Sequence, residues 1–91
     1  MLLTSFTAKA QQTINGVVKD SKSNETLIGT NVAIKGTTVG AQTDLDGKFK
    51  IETDKPLPII LVVSYIGYIQ QEVTFKNNTP ITIKLQSNEV N

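Results

Sequence analysis

The chain contains no cysteine, no histidine, no tryptophan and no arginine. Without cysteine and histidine it lacks the thiolate and imidazole ligands that most zinc, iron and copper sites use, and with them Cys–His and Ser–His catalysis. No metal, cofactor or catalytic residue is therefore expected. All nine basic residues are lysines and the net charge is +1, so the bidentate grip that arginine offers to phosphate and base edges is missing. A nucleic-acid partner is not expected. Long apolar runs are also absent: the longest, Ile59 to Val63, falls far short of the roughly 20 residues that a membrane-spanning helix needs. The lack of cysteine assigns no compartment, but it means that the fold stands without disulfides.

What is present is enough for one small domain. The 91 residues are 38% hydrophobic and 19% charged, too apolar and too evenly charged for a disordered chain. Thr, Ile and Val make up a third of the residues, and such β-branched side chains suit pleated, half-buried surfaces better than helices. Alternation agrees locally. Phe49 and Ile51 share one face while Lys48, Lys50 and Glu52 take the other, and Ile81, Ile83 and Leu85 oppose Thr82 and Lys84. No stretch of a dozen residues keeps apolar positions at three-and-four spacing, so essentially no helix is expected.

Turn residues cut the chain at Asp20 to Glu25, Gly36 to Gly40, Asp44 to Gly47, Thr53 to Pro58, Gly67, and Lys76 to Pro80. The intervals predict about seven strands: Thr13 to Val18, Thr30 to Lys35, Ala41 to Asp44, Lys48 to Thr53, Ile59 to Tyr65, Tyr68 to Phe75, and Ile81 to Leu85. This spacing points to an all-β, antiparallel β-sandwich or small barrel. The segment from Ile59 to Tyr65 is apolar on both faces and is assigned to the centre of a sheet, covered on both sides, with Pro56 and Pro58 at its entry. Before the first strand, residues 1–12 (MLLTSFTAKAQQ) carry the small-x-small pattern Ala8-Lys9-Ala10 ahead of Gln11. They read as the remnant of a signal peptide or a disordered N-terminus. The domain is placed at 13–86, with 87–91 as a disordered tail or the start of a linker.

Individual motifs have structural explanations. Gly29 allows a tight turn into the second strand, and Gly36 and Gly40 bracket a hairpin or bulge. In Asp44-Leu45-Asp46-Gly47 the aspartates accept backbone N–H bonds within a hairpin turn, with Phe49 dropping into the core. A calcium loop starting at Asp44 would need Gly at position 49 and Glu at 55, where Phe49 and Lys55 stand. Asp20, Asp44, Asp46 and Asp54 all fall in turns, without an apolar cleft to raise a carboxyl pKa. Tyr65 and Tyr68 flank a bend at Ile66-Gly67; one ring is expected to pack while its hydroxyl finds a backbone partner, and an exposed Tyr would suit a partner-binding surface.

Taken in order, the blocks NGVVKD, LIGTNVAIKGTTVGAQTDLDGKFKI and LVVSYIGYIQQEVTF resemble the carboxypeptidase-regulatory-like (transthyretin-like) β-sandwich found at the N-terminus of SusC/RagA-type TonB-dependent outer-membrane receptors of Bacteroidetes. The resemblance covers Thr13 to about Leu85. It departs at Thr26, where the family usually carries Pro, and no TonB-box segment, plug or barrel lies within these residues. It implies a prealbumin-like Greek key and a non-catalytic, periplasmic accessory domain associated with the outer membrane through a parent receptor. The expected partners are proteins: the receptor plug or barrel and a TonB-type energy-coupling protein, joined by edge-strand pairing. Two other functions fit such a sandwich, a ligand-binding domain for carbohydrate, for example, and a structural spacer beside a peptidase domain. The first would show aromatic residues clustered at a loop tip, and the second a neighbouring catalytic domain.

Overall fold

The computed structural model describes residues 11–77 and 79–88. The signal-peptide remnant expected over 1–12 lies almost wholly outside them, as do residues 89–91 of the expected tail. The described residues form seven strands and no helix: β1 (Gln12–Asp20), β2 (Asn31–Ile34), β3 (Gly40–Gln42), β4 (Lys48–Thr53), β5 (Ile59–Ser64), β6 (Gln71–Phe75) and β7 (Ile81–Leu85). They make two sheets, a three-stranded one in the order β4-β1-β7 and a four-stranded one in the order β3-β2-β5-β6.

Alternation explains which face of each strand is buried. Phe49, Ile51 and Thr53 of β4 point inward between exposed Lys48, Lys50 and Glu52. Ile14 and Val18 of β1 and Ile83 and Leu85 of β7 complete this inner face, and Val32, Ile34, Ile59, Leu61, Val63 and Phe75 meet it from the opposite sheet. Gly16 shares the inner parity of Ile14 and Val18. A Cβ there would lie 2.6 Å from the ring of Phe49, opposite it across the β1–β4 pair, so the missing side chain is the space the phenylalanine fills.

The pairing differs from expectation in one respect. β1 runs antiparallel to β4, Gln12 opposite Thr53 through Val17 opposite Lys48, but parallel to β7, Gly16 opposite Ile81 through Asp20 opposite Leu85. Alternation fixes the buried face of a strand and carries no information about the direction of its neighbour. β5 does lie inside its sheet, between β2 and β6. Its outer face is nevertheless open, with Ile60 40% exposed; cover on both sides is lateral only. An ion pair of 3.0 Å from Lys35 to Glu72 spans that face from the end of β2 to β6.

The end of the sandwich where β1 finishes, called here the upper end, gathers the turn after Asp20, the segment 26–30, the turn 44–47, the turn 65–68 and the segment 86–88. Leu27 caps the core there: its N–H donates to the Val18 carbonyl at 2.9 Å. Two buried threonines close the same region, the N–H of Thr30 donating to Thr43 Oγ1 at 2.8 Å and the Thr43 hydroxyl donating to the Leu27 carbonyl. The Asp44–Gly47 turn closes on itself but is not a hairpin within one sheet, because β3 and β4 belong to different sheets. It carries the chain from one layer to the other. Gly47 has φ +73°, and a Cβ would meet Thr26 Cβ at 2.7 Å; both facts require glycine.

Candidate interaction surface

The aspartates singled out in the sequence are not brought together. Asp44 is consumed by its own turn: Oδ1 accepts the N–H groups of Asp46 and Lys48, each at 2.9 Å. Those bonds, Lys48 first, hold its carboxyl below the ordinary range. Asp54 sits at the lower end, after β4. Among the described residues there is no group of three or more His, Cys, Asp or Glu side chains that could hold a metal ion.

Asp20 is a different case, and sequence reasoning missed its role. One oxygen of its carboxylate accepts the N–H groups of Lys22 at 2.7 Å and Ser23 at 2.9 Å, and the other accepts the Tyr68 hydroxyl at 2.6 Å. The tyrosine hydroxyl thus finds a side-chain carboxylate rather than the expected backbone partner. The shared hydrogen bond acts in opposite directions on the two groups: with the Ser23 and Lys22 N–H groups it pulls Asp20 down to about 2, and together with burial and the Asp20 charge it pushes Tyr68 up to about 12. The Tyr65 and Tyr68 rings lie 5.7 Å apart, tilted by 37°. The available signal was that Asp20 and Tyr68 are the polar ends of two separate motif blocks, G-x-V-x-D and S-Y-I-G-Y.

The same contact orders the C-terminal segment. Tyr68 bridges to Ser87, the Ile69 N–H donates to the Gln86 carbonyl at 2.8 Å, and the Asn88 N–H donates to the Gly67 carbonyl at 3.0 Å. The segment 86–88 is therefore laid along 67–69, and β6 proper begins only at Gln71. Ser87 and Asn88 belong to the folded unit.

Two features face outward. The first is the set of sheet edges β3, β4, β6 and β7. In an antiparallel pair alternate residues turn their N–H and C=O groups toward the partner. The bond from Val18 N–H to Gly47 O sets that alternation for β4, so Phe49 and Ile51 face β1 while Lys50 and Glu52 present backbone groups to the open edge. Lys48 also turns outward, but Asp44 already occupies both its N–H and its carbonyl. The same register leaves Glu72 and Thr74 open on β6, and Thr82 and Lys84 on β7. β3 is only three residues long, a blunted edge.

The second feature is aliphatic. Of the exposed large hydrophobic side chains, Leu45 (81%), Ile66 (89%), Ile28 (49%) and Ile69 (50%) stand on upper-end loops. The long edges lead to them: β4 ascends to Leu45, and β6 and β7 to Ile66 and Ile69. The concave places on the surface are modest. A depression of about 250 Å³ lies beside Gly16, Phe49 and Pro80, and one of about 350 Å³ between Lys35, Pro56, Pro58 and Ile60. Phe49, the aromatic residue beside the first, is 5% exposed, and the second has no aromatic residue in its lining; neither presents the stacking platform that a carbohydrate site would use.

Comparison with known proteins gives this geometry a context. The chain is 43% identical to the TonB-dependent receptor SusC of Bacteroides thetaiotaomicron over 81 residues, 88% of this chain and 8% of that receptor. It is 42% identical to the TonB-dependent receptor P26 of Formosa agariphila over 76 residues, 84% of this chain and 7% of that receptor. The chain thus spans less than a tenth of the relatives it matches. Among solved structures, it superposes on a chain of a type II cohesin–X-dockerin complex from Acetivibrio cellulolyticus with a TM-score of 0.68, at 21% identity over 84% of this chain and 58% of that one. It superposes on the shaft pilin SpaA from Lactobacillus rhamnosus GG (E269A mutant) with a TM-score of 0.65, at 16% identity over 89% of this chain and 47% of that one. At such identities these two show the fold alone. The CarboxypepD_reg-like domain model matches residues 14–91, nearly the whole chain with its seven strands, and the protein belongs to the CarboxypepD_reg-like domain family.

Proposed function

We propose that this chain is a non-catalytic interaction module of a TonB-dependent outer-membrane receptor, placed at its N-terminal, periplasmic side. The observation that carries the reading is the match to receptors of that kind over most of this chain but under a tenth of theirs: what is shared is a module, not a transporter. The segment before Gln11, read as a signal-peptide remnant, fits export to that compartment, with the module running from 13 through the ordered residue 88. The scattered carboxylates support no enzyme reading, since among the described residues no nucleophile and base are set side by side. The surface instead offers open strand edges ending at exposed aliphatic tips. The module's role is to take a strand from a protein partner by β-augmentation, main-chain bonds giving affinity and the aliphatic tips adding apolar contact. The partner is a segment of the receptor plug or the periplasmic part of a TonB-type energy-coupling protein.

The test is an NMR titration of the folded chain with each of the two. Shifts at the amides of Lys50 and Glu52, or of Glu72 and Thr74, support the reading. Titration of both to saturating concentration without movement at any edge amide would refute it.

A further inference from the structure

The geometry points to a mechanical function: loaded through its two ends, this module resists extension by shear between β1 and β7, and so transmits tension along a polypeptide instead of unfolding. The inference rests on strand topology and is independent of the receptor reading.

β1 and β7 are the first and last strands of the described chain, and they are direct, parallel neighbours over Gly16 to Asp20 and Ile81 to Leu85. Any polypeptide joined before Gln12 pulls on β1 from the lower end, and any joined after Asn88 pulls on β7 from the upper end. The two forces run along the strands in opposite directions, across the hydrogen bonds that join them. Bonds so placed are loaded together, whereas a pair of strands peeled from one end loses its bonds one at a time. The register and the bond from the Ser21 N–H to the Leu85 carbonyl at 2.9 Å set the backbone groups of Val17 and Lys19 against those of Ile81, Ile83 and Leu85. Val18, Ile83 and Leu85 are 0%, 2% and 0% exposed, which keeps water from the inner face of this ladder.

The point where tension enters from the C-terminal side is fastened in the same sense. Residues 86–88 are bonded alongside 67–69, through Ile69 N–H to Gln86 O and Asn88 N–H to Gly67 O, again in shear. The Tyr68 hydroxyl ties that turn to Asp20, the last residue of β1. Load arriving at Asn88 is thereby shared with the central strand of the three-stranded sheet, which β4 holds on its other side.

The experiment is single-molecule pulling of the complete chain between handle domains in two geometries. One pulls from the N- and C-termini; the other pulls from the N-terminus and a thiol introduced by Asn77→Cys, at an exposed position of the lower end in a chain with no other cysteine. Forced unfolding reports the barrier along the pulling direction. The end-to-end geometry is expected to give a several-fold higher mean unfolding force at equal loading rate. Equal forces in the two geometries, or a lower end-to-end force, would overturn the inference. Lys19→Pro removes one donor of the β1–β7 ladder and is expected to lower the end-to-end force while leaving the Asn77→Cys geometry near its parental value. An unchanged end-to-end force in the folded variant would also count against the clamp. If that variant does not fold, the two directions on the otherwise unmodified chain decide the matter.

Discussion

The Asp20 carboxylate accepts bonds from the Tyr68 hydroxyl and from the N–H groups of Ser23 and Lys22, and these bring it from the ordinary 3.8 to about 2. A lowered carboxyl pKa contributes stability that is complete above 3.8 and is lost as the pH falls through about 2. Tyr68 mirrors this on the alkaline side: its contribution is complete below 10 and is lost as the pH rises through about 12. Tyr68→Phe removes the largest influence on Asp20. In that variant, a carbon-detected carboxyl titration is expected to find the Asp20 pKa displaced upward toward 3.8, still held partly down by Ser23 and Lys22. Its stability deficit relative to the parent should narrow as acid is added, and a deficit that does not change with pH would contradict the pairing. Two other residues carry larger structural costs. Thr43→Val keeps the shape but strands the Thr30 N–H and leaves the Leu27 carbonyl with only the long 3.5 Å bond from the Thr30 hydroxyl, a loss of about 1–3 kcal/mol in urea unfolding. Gly47→Ala must adopt φ +73° with Thr26 Cβ 2.7 Å away, whereas Gly67→Ala has φ +85° and open space. The first is expected to exceed the about 1–3 kcal/mol of a strained backbone position, and the second to stay within it.

At the level of elements, the register predicts which amides are protected. Phe49, Ile51, Val73, Phe75, Ile83 and Leu85 turn their N–H groups toward a neighbouring strand, and Lys50, Glu52, Glu72, Thr74, Thr82 and Lys84 turn theirs outward. Hydrogen exchange followed by NMR should therefore alternate residue by residue along β4, β6 and β7, slow at the first set and fast at the second. Uniform protection along an edge would mean that the pairing is wrong. The strands themselves were legible because the inner and outer sets of side chains differ so sharply. β4 and β7 have the bounds that Phe49/Ile51 and Ile81/Ile83/Leu85 indicate. What lay outside reach is relational. Nothing in the alternation of β1 or β7 says that they run side by side and parallel, since that depends on how the intervening strands are distributed between layers. As a sequence Tyr68 reads as the start of β6, because an aromatic residue suits a strand; in the fold it is held instead by Asp20 and Ser87, 48 and 19 residues away in sequence. The Asp44–Gly47 turn is legible in its residues, but its change of layer is not, because β3 and β4 join different sheets.

For the molecule as a whole, the upper end combines firm backbone closure with aliphatic side chains that the fold does not use. Leu45 and Ile66 remain 81% and 89% exposed, so folding gains little from them. The double variant Leu45→Ser/Ile66→Ser should leave the free energy of unfolding within about 0.5 kcal/mol of the parent. Binding tells a different story if a partner laid along an open edge also covers the tip to which that edge leads. Burying a Leu or Ile side chain is worth about 1.5–3 kcal/mol, and a loss of about 1.4 kcal/mol is already tenfold in affinity. Calorimetric titration of the double variant with the plug or energy-coupling partner is therefore expected to show at least about tenfold weaker binding. Lys50→Ala, which leaves the backbone groups of β4 in place, should change affinity little. Affinity indifferent to the tips but lost in Lys50→Pro, where the open N–H is deleted, would assign recognition to the strand edge alone. The reverse pattern would transfer it to the loops at the upper end.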